Sequence, residues 1–387
     1  MSAESSDSNS DNSISSGSGD STPLQRLSVL GQSVWVDNLS RESIRGGHLQ
    51  GLIDDCAVVG ATSNPTIFQK AMTTGDAYEQ QQRELAERDM DAKDTFWTLA
   101  EQDIREACDL FRPVWDGGGG RDGYVSLEVG PGLAYDTLQT FRQAMHLHEL
   151  VDRPNLLVKI PATKPGLAAI EDVIAKGRSI NVTLIFSLRR YAEVAESYIR
   201  GLERLVAEGG DPRKVASVAS FFVSRIDTEA DRRLDEIGGH DELKGKLAIA
   251  NAKLAYRHFK EAFAGERWEY LAGKGATPQR VLWASTSTKN PNYPDTLYVD
   301  ELIGPDTVNT MPEETIEAYR DHGDPRPRLT SGLDDARRVF EELERAGVDY
   351  KDVTDTLERE GVEKFSNSFD ELLDALGDKQ RSLATTA

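Results

Sequence analysis

Eight short apolar segments, each followed by a helical stretch, constrain this chain more than any other feature. They are SVWVDNL (33–39), AVVGATSN (57–64), YVSLEV (124–129), NLLVKIPA (155–162), INVTLIFS (180–187), VASVASFFVSR (215–225), RVLWAST (280–286) and TVNTMP (307–312). Runs such as TFWTLAEQDIREACDLF (95–111) and DTLQTFRQAMHLHELV (136–151) lie between them and have helical periodicity. Strands alternating with helices predict a parallel α/β sheet, and eight is the number that closes into a single (β/α)8 TIM barrel. A doubly wound open sheet of eight strands is the second candidate.

Beyond residue 327 strands cease. LDDARRVFEELERAG (333–347), DYKDVTDTLEREG (349–361) and KFSNSFDELLDALGDK (364–379) read as helices. The expected organisation is therefore a tail over 1–23, a barrel over 24–327 and a C-terminal helical extension over 328–387 packed on the barrel. The tail opens MSAESSDSNSDNSISSGSGDST, too poor in apolar residues to offset its ordering entropy, and is expected to be disordered. It has neither the basic nor the apolar region of a secretory signal. No apolar run approaches the roughly 18 residues of a membrane span.

Charge excludes further classes of partner. A net charge of −21 opposes nucleic acid and anionic membrane. An acidic, arginine-rich surface suits a high-salt cytoplasm, and ordinary solubility is an equally simple account. The two cysteines, Cys56 and Cys108, have no CxxC spacing, which fits a reduced, cytoplasmic chain. The sequence leaves monomer and homo-oligomer equally open.

One residue does not fit a buried strand. Lys159 stands in the middle of NLLVKIPA, and burying an ammonium costs several kcal/mol unless it is paired or loses its proton. Side chains two apart on a strand share a face. That rule sends Val158 and Ile160 outward and Lys159 into the lumen. The lumen also receives Ser126 with Glu128, Trp35 with Asp37, Asn181 with Thr183, Ser220 with Phe222, Thr62 with Asn64, and Trp283 with Ser285. A lysine, two carboxylates and several hydroxyls and amides at strand ends describe a site at the C-terminal mouth, where such barrels carry their chemistry.

Metal and nucleotide chemistries lack their motifs. There is no HExxH, and His146 and His148, two apart on a helix, point apart as surface residues. The GGGG at 117–120 precedes a strand without a following GK[ST], so it is a loop at the barrel floor, and no GxGxxG follows a strand. A desolvated lysine with a lowered pKa remains, able to attack a carbonyl and form a Schiff base without metal or cofactor. Glu128 then suits the proton shuttling of imine formation, and Asp37 suits a base on a substrate hydroxyl.

GATSNPTIF, SLEVGPGLAYD, LVKIPAT, INVTLIFS and ASFFVSRID, in this order and spacing, resemble the successive strand motifs of the transaldolases, from about Leu24 through GVEKFSNSFDELLDAL. The resemblance implies transfer of a dihydroxyacetone unit from sedoheptulose 7-phosphate to glyceraldehyde 3-phosphate in the pentose phosphate pathway. It implies Lys159 as the Schiff-base lysine, Asp37 as the acid/base at the C4 hydroxyl, Glu128 acting through a water, and Thr183 holding that water. Asn64, Asn181 and Ser220 then hold the dihydroxyacetone hydroxyls, with Phe222 beside them. Arg225 and Ser285 grip the phosphate, for which the arginine fork is suited. Many relatives place a second arginine soon after the strand-7 serine. Here that stretch offers Lys289, either a substitute or a solvated loop residue.

Other activities stay open. A fructose 6-phosphate aldolase resembles this chain but carries Gln and Tyr at the positions of Glu128 and Phe222. A pyridoxal phosphate enzyme would need a phosphate cup that the sequence does not offer. A non-catalytic sugar-phosphate-binding protein would not require Lys159, Glu128 and Asp37 together.

Overall fold

A computed structural model describes residues 21–384. The expected tail falls, through residue 20, outside the described residues. A helix begins at Pro23, where Thr22 and Gln25 form a reciprocal capping box. The eight strands are β1 (Gln32–Val36), β2 (Val58–Thr62), β3 (Tyr124–Glu128), β4 (Leu156–Pro161), β5 (Ile180–Ile185), β6 (Ser217–Phe222), β7 (Arg280–Ala284) and β8 (Thr307–Met311). All neighbouring pairs are parallel, and β1 pairs with β8, so the sheet closes into a TIM barrel and the open doubly wound alternative is set aside. No helix among the described residues is long and apolar enough to cross a membrane.

Most strands end before their apolar run does, and after β2, β5 and β6 the last residues of the run cap or start the following helix. Asn64, Thr163 and Ser187 are N-caps, each accepting from a backbone N–H in the first helical turn. Polar residues that parity assigned to strands thus lie just beyond them, at the mouth. Register aligns Glu128 with Lys159 and Lys159 with Asn181 in one row across β3, β4 and β5.

The floor of the lumen holds a polar network. Arg280 lies 2.9 Å from Asp122, which also accepts from Ser33 and the Trp35 indole. Trp35 lies so close to Gly60 that a Cβ there would stand 2.6 Å from its ring, a space only glycine leaves. Two expected orientations are corrected. Trp283 points outward, donating to the Leu302 carbonyl and packing edge-on to Phe221. Ser285 still reaches the mouth because its φ of 57° breaks the alternation after β7. His148 is buried, not on the surface as expected: its Nε2 lies 2.9 Å from the Ser179 carbonyl, and burial lowers its pKa to about 4.

The C-terminal segment forms helices Leu333–Ala346 and Tyr350–Ala384. The second joins the two stretches that Gly361 was expected to divide. A Cβ at Gly361 would stand 3.1 Å from Leu184, so glycine here allows close approach to the barrel. The helix is anchored along its length. Tyr350 donates to Asn251, Arg190 pairs with Glu358, Thr66 donates to Ser368, and Phe369 packs on Phe96 in a T-shape at 5.0 Å. Replacing Phe369, a buried ring, should therefore cost about 3 kcal/mol. Urea unfolding of Phe369→Ala checks this; a loss under about 1 kcal/mol would contradict the packing described.

Candidate active site

Lys159 is 5% exposed and enters the lumen from the middle of β4. Its Nζ lies 3.4 Å from Glu128 Oε2 and donates to the Ser63 carbonyl at 3.2 Å. The Phe365 ring, from the C-terminal helix, stands 5.7 Å from the ammonium. The ion pair is long, and neither Glu128 oxygen makes a hydrogen bond among the described residues. The Thr183 hydroxyl is likewise buried without a partner. Buried polar atoms almost always have partners. Glu128 thus faces Lys159 with hydrogen-bonding capacity to spare, and Thr183 lines the same cavity as the lysine.

Burial pushes the Glu128 carboxyl above the ordinary carboxylate range; Lys159 opposes this and Asp37 adds to it. Asp37, one residue past the end of β1, is also raised, chiefly by burial. Lys159, Thr62, Arg225 and Lys289 all pull it back down. Thr62 donates to Asp37 Oδ1 at 2.7 Å, and its oxygen lies 2.7 Å from that of Thr310 on β8. With its proton given to Asp37, Thr62 accepts from Thr310. This chain across β8, β2 and β1 fixes the Asp37 carboxyl.

These groups open into a cavity of about 740 Å³ at the strand C-termini, lined by Asp37, Asn64, Lys159, Thr183, Ser220, Phe222, Arg225, Ser285 and Lys289 among others. Asn64 spends its oxygen on capping the Ile67 N–H, which leaves its amide hydrogens for the cavity. Asn181 is the exception among the expected substrate contacts. It is fully buried below the cavity, donating to Ser126 and accepting from Ser220 at 2.7 Å, so it orients Ser220. The Arg225 guanidinium stands over the Phe222 ring at 5.1 Å, and Ser285 lies 2.9 Å from Ser224. Lys289 is exposed and donates to Ser287.

Sequence reasoning missed Lys364 and Phe365, which line the cavity from the C-terminal helix. Their signal lay in the KFSNSF stretch, but nothing in a sequence states that a helix some 200 residues downstream of Lys159 crosses the mouth. The Thr62–Thr310 chain was equally hidden, because β1 and β8 meet only on closure.

Lys159→Met would leave Glu128 and Asp37 buried without their nearest cation, raising both pKa values further. A carboxyl whose folded-state pKa is raised destabilises the fold above that pKa, and the penalty vanishes as it protonates. The substitution should cost about 2 kcal/mol at pH 8 and clearly less at pH 5. Urea midpoints of both proteins at the two pH values check this; an equal or larger penalty at pH 5 would contradict it.

Comparison with known proteins agrees with this geometry. The transaldolase/fructose-6-phosphate aldolase family model matches residues 34–376. A transaldolase of Saccharopolyspora erythraea is 54% identical over 351 residues, covering 90% of this chain and 95% of its own. One from Acidothermus cellulolyticus is 53% identical over 356 residues, covering 92% and 96%. One from a Parafrankia species is 53% identical over 368 residues, covering 94% and 100%. The chain belongs to the transaldolase/fructose-6-phosphate aldolase family.

Proposed function

We propose that this protein is a transaldolase, a transferase that moves a dihydroxyacetone unit between sugar phosphates through a Schiff base on Lys159. The observation that carries the reading is the buried Lys159–Glu128 pair in a cavity that Thr183 also lines and that Arg225, Lys289 and Lys364 border.

Attack on the donor's C2 carbonyl requires the neutral amine of Lys159. Glu128, at 3.4 Å, is the group suited to take its proton, and its raised pKa suits it to return that proton to the departing hydroxyl. A water between Glu128 and Thr183 would give both their missing hydrogen bonds and carry this proton. Asp37 then removes the proton of the C4 hydroxyl. The C3–C4 bond breaks, an aldehyde leaves, and the electron pair is stored as an enamine on Lys159. The acceptor aldehyde enters, the enamine carbon attacks it, Asp37 returns its proton, and water releases the new ketose.

In this reading Asn64 and Ser220, the latter held by Asn181, bind the dihydroxyacetone hydroxyls. Arg225, Ser285 and Lys289 receive the phosphate, with Arg225 donating its unpaired fork. Residues 24–327 form the catalytic body, and 328–387 an extension whose long helix completes the cavity wall. A cytoplasmic setting is supported by two cysteines that are buried and free.

Transfer demands that the enamine outlast the arrival of the acceptor; an aldolase instead lets water release it. Phe222, 6% exposed and packed on Phe186 at 5.1 Å, offers the intermediate an apolar ring and no hydroxyl. Phe222→Tyr should raise release of free dihydroxyacetone from fructose 6-phosphate several-fold while transfer to erythrose 4-phosphate declines. Glycerol dehydrogenase-coupled detection beside the transfer assay measures both. If both activities fall together, Phe222 is only packing; rapid release by the unaltered protein would instead favour the aldolase activity.

A further inference from the structure

Besides Lys159 and Lys70, three cations line the cavity, and none of them forms an ion pair among the described residues. Arg225 lies in the first turn of the helix Ser224–Ile237, Lys289 in the loop after β7, and Lys364 on the C-terminal helix. Among the described residues, Arg225 and Lys364 make no hydrogen bond or ion pair, and the only bond from Lys289 Nζ goes to Ser287. Arg267, by contrast, bridges Glu196 and Glu203.

The three are near enough to act on one another. The Arg225 guanidinium is the largest cause holding the Lys364 ammonium below the ordinary lysine range, with burial and Lys289 adding to it. Lys364 is also held in position. Three residues earlier, Gly361 lets the helix touch Leu184, and one residue later Phe365 is buried over Lys159. Its side chain therefore extends from a fixed stretch of backbone at the mouth. Cations that repel one another and form no ion pair suit an external anion, and a phosphate monoester brings about −1.5 to −2 charges at pH 7.

We propose that Lys364 is a substrate-binding residue, the third cation of a phosphate grip shared with Arg225 and Lys289. The C-terminal helix thereby becomes part of the specificity for phosphorylated substrates. The inference rests on the sugar-phosphate reading above. It also gives the anchored helix a role in catalysis, because the phosphate links it to β6 and β7 directly across the mouth.

The test uses the second half-reaction, in which kcat/KM for the acceptor depends only on the enamine enzyme and the aldehyde. The quantity read is the ratio of kcat/KM for glyceraldehyde 3-phosphate to that for unphosphorylated glyceraldehyde. Lys364→Met should lower this ratio roughly tenfold, the loss of one charge-assisted hydrogen bond, and Lys364→Arg should restore it to within about twofold. The inhibition constant of inorganic phosphate should rise roughly tenfold in Lys364→Met. Lys364 is exposed, so neither variant threatens folding. A wild-type ratio and inhibition constant in Lys364→Met, with the ratio lowered in Arg225→Gln, would overturn the role of Lys364 and leave the sugar-phosphate reading standing. A ratio unmoved in both variants would overturn both.

Discussion

The ammonium of Lys159 sits inside a closed barrel within 3.4 Å of a carboxylate, and the rest of the site depends on making that burial tolerable. A lysine and two carboxylates in one lumen cannot be desolvated independently: Lys159 bears on the proton affinity of both carboxyl groups, and Asp37 on that of Glu128. Burial raises both Glu128 and Asp37, and Lys159 draws both back. The result is a pair of carboxyl groups suited to exchange protons rather than to remain fixed anions. A barrel provides this at low cost in backbone: each group sits at a strand end, where the sheet is rigid and the following loops are free to vary.

Packing supports the electrostatics from below and above. Below, Trp35, Asp122 and Arg280 join in a polar network at the floor, beside a pocket of about 200 Å³ lined by Leu157, Val218 and Arg280. Above, Phe365 places an aromatic face near the ammonium, and the helix carrying it is tied to the body at Tyr350, Ser368 and Phe369. The Lys159 amine thus lies between the floor network and an anchored cover, open to the cavity. Asp37 is fixed by the Thr62–Thr310 chain, a second use of the same closure.

Much of this was legible in the sequence because it depends on period. Eight apolar runs gave eight strands, and alternation sent Lys159, Glu128, Thr183 and Ser220 into the lumen. What alternation could not give were the places where the backbone departs from it. Leu184 and Ser285 take φ values of 59° and 57°, which residues with side chains rarely adopt, and each shifts the parity that follows. Trp283 lies before the break, so pairing it with Ser285 across that break puts it on the wrong face. Asn181 lies on the expected face, in the same row as Lys159, where it is buried between Ser126 and Ser220. The role of the C-terminal helix was illegible for a different reason. Its sequence shows an amphipathic helix, but which end of the barrel it crosses is decided by tertiary contacts such as Thr66 with Ser368, on residues some 300 apart.

The central claim is that Lys159 forms the covalent bond to substrate. Incubation with fructose 6-phosphate and borohydride, followed by peptide mass spectrometry, addresses it most directly. The account predicts a reduced three-carbon adduct on Lys159 and on no other lysine. An adduct on a different lysine, or none in a protein that still transfers the dihydroxyacetone unit, would contradict it.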